Sequence, residues 1–121
     1  MGKRIFIVED LPIMRDLLCG IYESLGHQIV GTAENGHDAI SEYPKYMPDL
    51  MSLDISLPDM DGLAVLKEIR TQYPQAKVLV VTANDQKVLE DRAVALGAFG
   101  VLLKPFTIDS VTETLSKLWP A

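Results

Sequence analysis

Short apolar runs alternate with amphipathic segments along the chain, and this alternation restricts the possible folds more than any other feature. Four runs are strongly apolar, as in strands covered on both faces: residues 5–8, 50–53, 78–81 and 100–103. A weaker strand, nearer a sheet edge, is predicted over residues 28–33. Apolar residues at helical spacing follow each of the five strands, which predicts five helices.

The predicted helices have residues that suit their ends. The helices are expected over residues 12–25, 35–44, 63–73, 86–96 and 107–118. Pro12 fits a first helical turn, and Asn35 and Thr107 can cap the second and fifth helices. Pro44 is expected to kink the second helix or end it early, because proline lacks the backbone N–H that a helix interior needs.

Strands that alternate with helices through short connections favour βαβ units. The predicted fold class is therefore α/β, a doubly wound and mainly parallel sheet of five strands with helices on both faces. A length of 121 residues suits one domain, so residues 1–121 are predicted to form a single domain with one core.

Composition excludes several classes of protein. The chain has a net charge of −6 and no basic stripe, which argues against direct binding of nucleic acid. Cys19 is the one cysteine, so no internal disulfide can form, and a reducing, cytoplasmic setting is expected. No apolar stretch approaches the roughly 18 residues that span a bilayer, and the first apolar run is too short for a signal peptide.

Polar residues follow the four strongly apolar strands at the point where each strand ends. These residues are Glu9 with Asp10, then Asp54, Thr82 and Lys104. In open α/β sheets, ligands bind in the crevice outside the carboxyl ends of the strands. We therefore expect all five side chains to meet in one cleft.

The predicted cleft has the groups that phosphoryl transfer requires. Three carboxylates repel one another, by about 1 kcal/mol per pair at 4 Å even in water, and a divalent cation relieves this repulsion. Oxygen ligands without nearby histidine or cysteine favour Mg²⁺ over zinc. Lys104 and Thr82 would stabilise a transferred phosphoryl group. Asp54 stands alone at its strand end and is the best candidate for the nucleophile of an aspartyl phosphate.

Four segments together resemble the receiver domain of two-component response regulators. They are Ile-Val-Glu-Asp at 7–10, Leu-Asp-Ile-Ser-Leu-Pro-Asp-Met-Asp-Gly at 53–62, Val-Thr-Ala at 81–83 and Leu-Lys-Pro-Phe at 103–106. Their order and spacing match across essentially the whole chain. The resemblance implies the flavodoxin-like strand order 2-1-3-4-5, which the chemotaxis receiver of this family has.

The resemblance also implies a metal site. Asp10 and Asp54 would bind Mg²⁺ directly, the backbone carbonyl of Ser56 would be a further ligand, and Glu9 would assist through a water molecule. Asp59 and Asp61, in contrast, are assigned to the loop and to the start of the next helix.

The phosphoryl group and the partners follow from the same resemblance. Asp54 would accept phosphoryl from the phosphohistidine of a sensor histidine kinase or phosphotransfer protein. Thr82 and Lys104 would contact the phosphoryl oxygens, and the Lys104–Pro105 peptide bond is expected to be cis. A downstream output protein or domain would bind the fourth helix, last strand and last helix, with Val88, Phe99 and Val101 as candidate contacts.

One position departs from the family pattern. Three residues before Lys104, the family usually has an aromatic residue that turns inward on activation, whereas this chain has Val101. Valine has no hydroxyl and little reach. Our hypothesis is that phosphorylation is transmitted mainly through Thr82 and its loop.

Two alternative functions use the same residues or architecture. A Mg²⁺-dependent phosphatase that passes through an aspartyl phosphate generally needs a second acid two residues after the nucleophile, and Ser56 occupies that position. A flavin-binding module needs a phosphate-binding loop after the first strand, where Glu9 and Asp10 would instead repel a phosphate. The favoured function is a phosphoacceptor switch with slow self-catalysed chemistry, not a turnover enzyme.

Overall fold

The computed structural model describes residues 2–119, and within them five strands alternate with five helices, as predicted. The elements are β1 (Arg4–Val8), α1 (Pro12–Ser24), β2 (Gln28–Ala33), α2 (Gly36–Tyr46), β3 (Leu50–Asp54), α3 (Gly62–Gln72), β4 (Val78–Thr82), α4 (Lys87–Ala95), β5 (Gly100–Leu103) and α5 (Ile108–Leu118). Residues 1, 120 and 121 of the predicted single domain lie outside the described residues.

The strands form one parallel sheet in the order β2-β1-β3-β4-β5. This order confirms the flavodoxin-like prediction, and β2 does lie at an edge. Every residue of β3 and β4 is buried, as their continuous apolar runs predict. Because all pairs are parallel, the carboxyl ends of the strands meet at one rim of the sheet.

Helices cover both faces of the sheet, because alternate strand residues point to opposite sides. Phe6 and Val8 belong to a core that also contains buried residues of α2, α3 and α4. Ile5 and Ile7 belong to a second core, with buried residues of α1 and α5. Among residues 2–119, no helix combines the length and the apolar character that a bilayer span requires.

Pro44 was expected to kink the second helix or end it early, and the second of these alternatives is wrong. The helix α2 continues to Tyr46, two residues beyond the proline. Pro44 lies in the last turn, so its missing N–H affects only one bond near the helix end. Met47 follows in the left-handed conformation with φ of 41°, and its N–H donates to the carbonyl of Tyr43.

The buried side of α1 does not include every apolar residue of the helix. Leu17 is 47% exposed. Tyr22 is fully buried, and its hydroxyl donates to Ser52 Oγ of β3 at 3.1 Å. This bond gives the buried hydroxyl a partner and connects α1 to the strand that ends at Asp54.

Candidate functional site

The carboxyl ends of β1, β3 and β5 bring three acids and one lysine together. Glu9 and Asp54 are buried, whereas Asp10 is half-buried. One carboxylate oxygen from each of Glu9, Asp10 and Asp54 lies within 4.8 Å of the others. Lys104 Nζ lies 3.2 Å from Glu9 Oε1 and 3.5 Å from Asp54 Oδ1. The structure therefore places these four residues in one cleft.

The loop between β1 and α1 is held by hydrogen bonds on both sides of Glu9. The N–H of Glu9 donates to the carbonyl of Ala33 at the end of β2, and its carboxylate accepts from the N–H of Leu11 at 3.3 Å. Arg15 donates through Nη1 to the carbonyl of Glu9 at 2.9 Å and pairs through Nη2 with Glu34 at 3.2 Å. The β1–α1 loop, which contains Glu9 and Asp10, is thus connected to the loop that follows β2.

Lys104 reaches the acids from the end of β5. Its N–H donates to the carbonyl of Thr82 at 2.8 Å, which extends the pairing between β4 and β5 by one residue. The Lys104–Pro105 bond is cis, as expected, and Phe106 after it is buried in the core on the α1 and α5 side.

Thr82 ends β4 at the same rim, and its side chain is connected to the start of α4. Thr82 Oγ1 accepts from the N–H of Asn84 at 3.0 Å, and Asn84 Oδ1 accepts from the N–H of Gln86 at 2.9 Å. Gln86 is the N-cap residue of α4. A hydroxyl has one donor and two acceptor sites, so the bond that Thr82 accepts from Asn84 does not use its hydrogen, which can still donate.

Ser56 lies in the loop between β3 and α3, and its N–H donates to Asp54 Oδ1 at 3.2 Å. Gly62 closes the loop through an N–H bond to the carbonyl of Ile55. Only glycine fits there, because a Cβ at position 62 would lie 2.4 Å from Ile55 Cα. Asp61 serves the helix start, as expected, by accepting from the N–H of Leu63.

Asp59 makes contacts that the sequence did not reveal. Its two carboxylate oxygens accept from the N–H groups of Gly36, at 2.7 Å, and His37, at 2.9 Å. These N–H groups begin α2, and they lower the pKa of Asp59. Asp59 therefore caps a helix that precedes it by more than 20 residues in the chain. Local patterns could identify only Asn35 as a cap of α2, which accepts from the N–H of Asp38.

The acids and Lys104 are electrostatically unbalanced. Burial, a hydrogen bond with Asp54 and the negative charge of Asp54 together raise the pKa of Glu9 to about 7, against the lowering effects of Lys104 and of the N–H of Leu11. With all groups ionised, the three carboxylates exceed the single ammonium by two negative charges. A divalent cation would neutralise this excess, and the all-oxygen donor set fits Mg²⁺.

The exposed residues on α4 and β5 only partly match the predicted contacts. Val88 is 69% exposed on α4, as expected of a contact residue. Val101 is partly buried against the core on the α2, α3 and α4 side. Phe99 packs against Trp119 with ring centroids 5.5 Å apart. Leu103, which sequence reasoning did not name, is 45% exposed.

Comparisons with known proteins agree with this geometry. The family model described as response regulator receiver domain matches residues 5–116. The chain is 37% identical over 118 residues to the chemotaxis protein CheY of Thermotoga maritima, with 98% of each chain covered. It is 38% identical over 117 residues to the chemotaxis protein CheY of Bacillus subtilis, with 97% of this chain and 98% of the relative covered. A chain of the CheX–CheY–BeF3–Mg²⁺ complex from Borrelia burgdorferi matches with a TM-score of 0.93 at 27% identity, with 98% of this chain and 90% of that chain covered.

The raised pKa of Glu9 predicts how the stability of the metal-free protein depends on pH. The folded state holds the Glu9 proton more tightly than the unfolded state, whose carboxyl has a pKa near 4.5. The contribution of Glu9 to the free energy of unfolding should therefore fall as pH rises from about 4.5 to about 7, by up to about 3 kcal/mol.

Urea unfolding in EDTA, at several pH values, tests this prediction on wild type and Glu9→Gln. Glutamine has nearly the same shape but does not titrate, so the stability of the variant relative to wild type should increase over this pH interval. Parallel stability curves for the two proteins would contradict the assigned pKa.

Proposed function

The chain belongs to the family of response regulator receiver domains, and on this premise we propose that Asp54 is its phosphoacceptor. As a CheY-like receiver, the protein is a signalling module of two-component systems. One observation carries the residue assignment. Asp54 is a buried carboxylate that lies beside two further acids and 3.5 Å from the Lys104 ammonium.

Phosphorylation of Asp54 transfers a phosphoryl group from a histidine nitrogen of the donor to a carboxylate oxygen of Asp54. A carboxylate oxygen of Asp54 forms a bond to phosphorus while the N–P bond of a phosphohistidine breaks, and the electron pair of that bond stays on the imidazole nitrogen. Lys104 neutralises charge on the phosphoryl oxygens, and Thr82 donates its hydroxyl hydrogen to one of them.

Mg²⁺ would be held by the carboxylates of Asp10 and Asp54 and by the backbone carbonyl of Ser56, with Glu9 assisting through water. When bound, it supplies positive charge to the phosphoryl oxygens. The similar structure from Borrelia burgdorferi is a complex of CheX and CheY with BeF3 and Mg²⁺. BeF3 imitates a phosphoryl group, so that complex supports the same pair of ligands for this chain.

The phosphoryl donor would be a sensor histidine kinase or a phosphotransfer protein. An exposed apolar patch next to the acids suits such a partner. It consists of Leu11, just before α1, and of Ile13 and Leu17 in α1, which are 54%, 82% and 47% exposed. Apolar residues exposed together at this level mark interaction surfaces more often than single exposed ones do.

The output surface would be formed by α4, β5 and α5, where Val88 and Leu103 are exposed. Val101 has no aromatic ring to turn inward, but the hydrogen bond between Thr82 and Asn84 and the one between Asn84 and Gln86 lead to the N-cap of α4. A change at the Thr82 hydroxyl would therefore reach α4 through this loop.

We place the protein in the cytoplasm as one receiver domain over residues 1–121, acting as a switch that catalyses only its own phosphorylation and dephosphorylation. Phosphatase activity on other substrates is not favoured. Ser56 stands where such an enzyme generally has its second acid, and its N–H points to Asp54 Oδ1.

Labelling with a small phosphoryl donor tests the assignment of Asp54. Acetyl phosphate with Mg²⁺ should add one phosphoryl group to wild type, and intact-protein mass spectrometry measures it. Asp54→Ala should show no addition, because the nucleophile is lost, and EDTA should prevent the addition to wild type. Asp91→Ala, which removes an exposed acid of α4, is the matched control and should label normally. Labelling of Asp54→Ala at the wild-type level would refute the assignment.

The proposed route from Thr82 to α4 can be tested by NMR with BeF3 and Mg²⁺. The backbone amide signals of Asn84 and Gln86 should shift on addition, because the N–H of Asn84 donates to the Thr82 hydroxyl and the N–H of Gln86 donates to Asn84 Oδ1. The amide of Ile29, on the edge strand β2, serves as the unaffected reference. Loop amides that do not move while Asp54 signals do would contradict this route.

A further inference from the structure

We infer that Asp59 positions the β3–α3 loop for metal binding by capping α2 from outside that helix. The inference rests on the proposed function, because it concerns how the Ser56 carbonyl is held toward the Mg²⁺ site. Both carboxylate oxygens of Asp59 accept hydrogen bonds from α2, so Asp59 is not assigned as a ligand of the metal or of the phosphoryl group. It acts through the β3–α3 loop, residues 55–61. Ser56 lies near the start of this loop, and Asp61, the N-cap residue of α3, ends it.

Hydrogen bonds hold the loop at its two ends. Near Asp54, the N–H of Ile55 donates to the carbonyl of Val81, and the N–H of Ser56 donates to Asp54 Oδ1. Near α3, the N–H of Gly62 returns to the carbonyl of Ile55, and Ser56 and Asp61 form an antiparallel bridge. These bonds fix the two ends of the loop, but they do not attach its tip, Asp59 and Met60, to another element.

Asp59 and Met60 attach the tip to α2. The two oxygens of Asp59 accept from the N–H groups of Gly36 and His37, so that both form charge-assisted bonds at a helix N-terminus. Met60 packs so closely on Gly36 that a Cβ there would lie 2.3 Å from Met60 Cγ. The tip of the metal-binding loop is thus seated on the first turn of α2.

The stability of α2 does not by itself explain why this helix has two capping residues, Asn35 and Asp59. Asn35 already provides the local cap by accepting from the N–H of Asp38, whereas Asp59 reaches the same turn from a loop 22 residues later in the chain. A residue that only stabilised α2 could come from α2 itself. A residue from the β3–α3 loop also fixes the position of that loop, which the metal site requires.

Two variants with similar effects on α2 separate positioning from stability. Asp59→Ala removes the cap that joins the loop, and Asn35→Ala removes the cap that belongs to the helix, so both should lower the midpoint of thermal unfolding to a similar extent. Titration calorimetry with MgCl2 then measures metal affinity without any phosphoryl transfer. If the loop is released, the binding-competent fraction of the protein falls and the apparent Kd rises in proportion.

We expect the Kd for Mg²⁺ to rise about three- to tenfold in Asp59→Ala and less than about twofold in Asn35→Ala. Asp59→Asn distinguishes geometry from charge. It loses the same charge as the alanine variant but keeps one acceptor oxygen, so it should bind Mg²⁺ more tightly than Asp59→Ala. At saturating Mg²⁺, the labelling rate of Asp59→Ala with acetyl phosphate should return to within about twofold of wild type.

Each other outcome overturns the inference. Equal Kd values for wild type and Asp59→Ala, or equal losses in Asp59→Ala and Asn35→Ala, would remove the positioning role and leave the proposed function intact. Equal Kd values for Asp59→Ala and Asp59→Asn would mean that Asp59 affects Mg²⁺ binding only through its negative charge and not by holding the loop. Failure of wild type to bind Mg²⁺ would refute the proposed function and this inference together. If Asp59→Ala does not fold, the comparison of Asp59→Asn with Asn35→Ala decides by the same criteria.

Discussion

The contact of Lys104 with Glu9 and Asp54 is the interaction on which the site depends. Two carboxylates that are almost fully buried lie within 3.2 and 3.5 Å of a single ammonium. Buried charges of like sign are costly unless they are paired or bind a metal. One lysine cannot balance three acids, so the cleft favours either a proton on Glu9, whose pKa is raised to about 7, or a divalent cation. The same excess of negative charge that makes the metal-free site unfavourable thus makes it selective for a cation.

The loop after β2 supports this site without contributing a ligand. Glu34 pairs with Arg15, which holds the carbonyl of Glu9, and the first N–H groups of α2 hold Asp59. The two loops that contain the acids and Ser56 are therefore tied to the same short segment, residues 34–37. This arrangement follows from the sheet order, because β2 and β3 are both neighbours of β1 and their following loops lie on the same rim.

The sequence predicted the parts of this structure that local patterns determine. Each buried strand is a continuous apolar run, and the polar residue that ends it marks the rim of the sheet, so Glu9, Asp54, Thr82 and Lys104 could be placed together before the structure was known. The strand order came from the resemblance to receiver domains and not from the pattern of apolar residues. Strand alternation alone is compatible with several orders.

Other features depend on contacts between distant segments, which no local pattern encodes. The partners of Asp59 lie 22 and 23 residues earlier in the chain. Tyr22 rather than Leu17 provides the buried anchor of α1, because Ser52 on a neighbouring strand offers a partner for its hydroxyl. Pro44 remains within α2 because the end of that helix is set by Met47 in a left-handed conformation.

The central claim is that the acids at the ends of β1 and β3 hold one divalent cation together with the carbonyl of Ser56. Anomalous X-ray scattering from crystals soaked in Mn²⁺, which has the same preference for oxygen ligands as Mg²⁺, locates such an ion directly. The account predicts one anomalous peak in the cleft, within bonding distance of Asp10, Asp54 and the Ser56 carbonyl. Peaks confined to other surface acids, with none in this cleft, would contradict it.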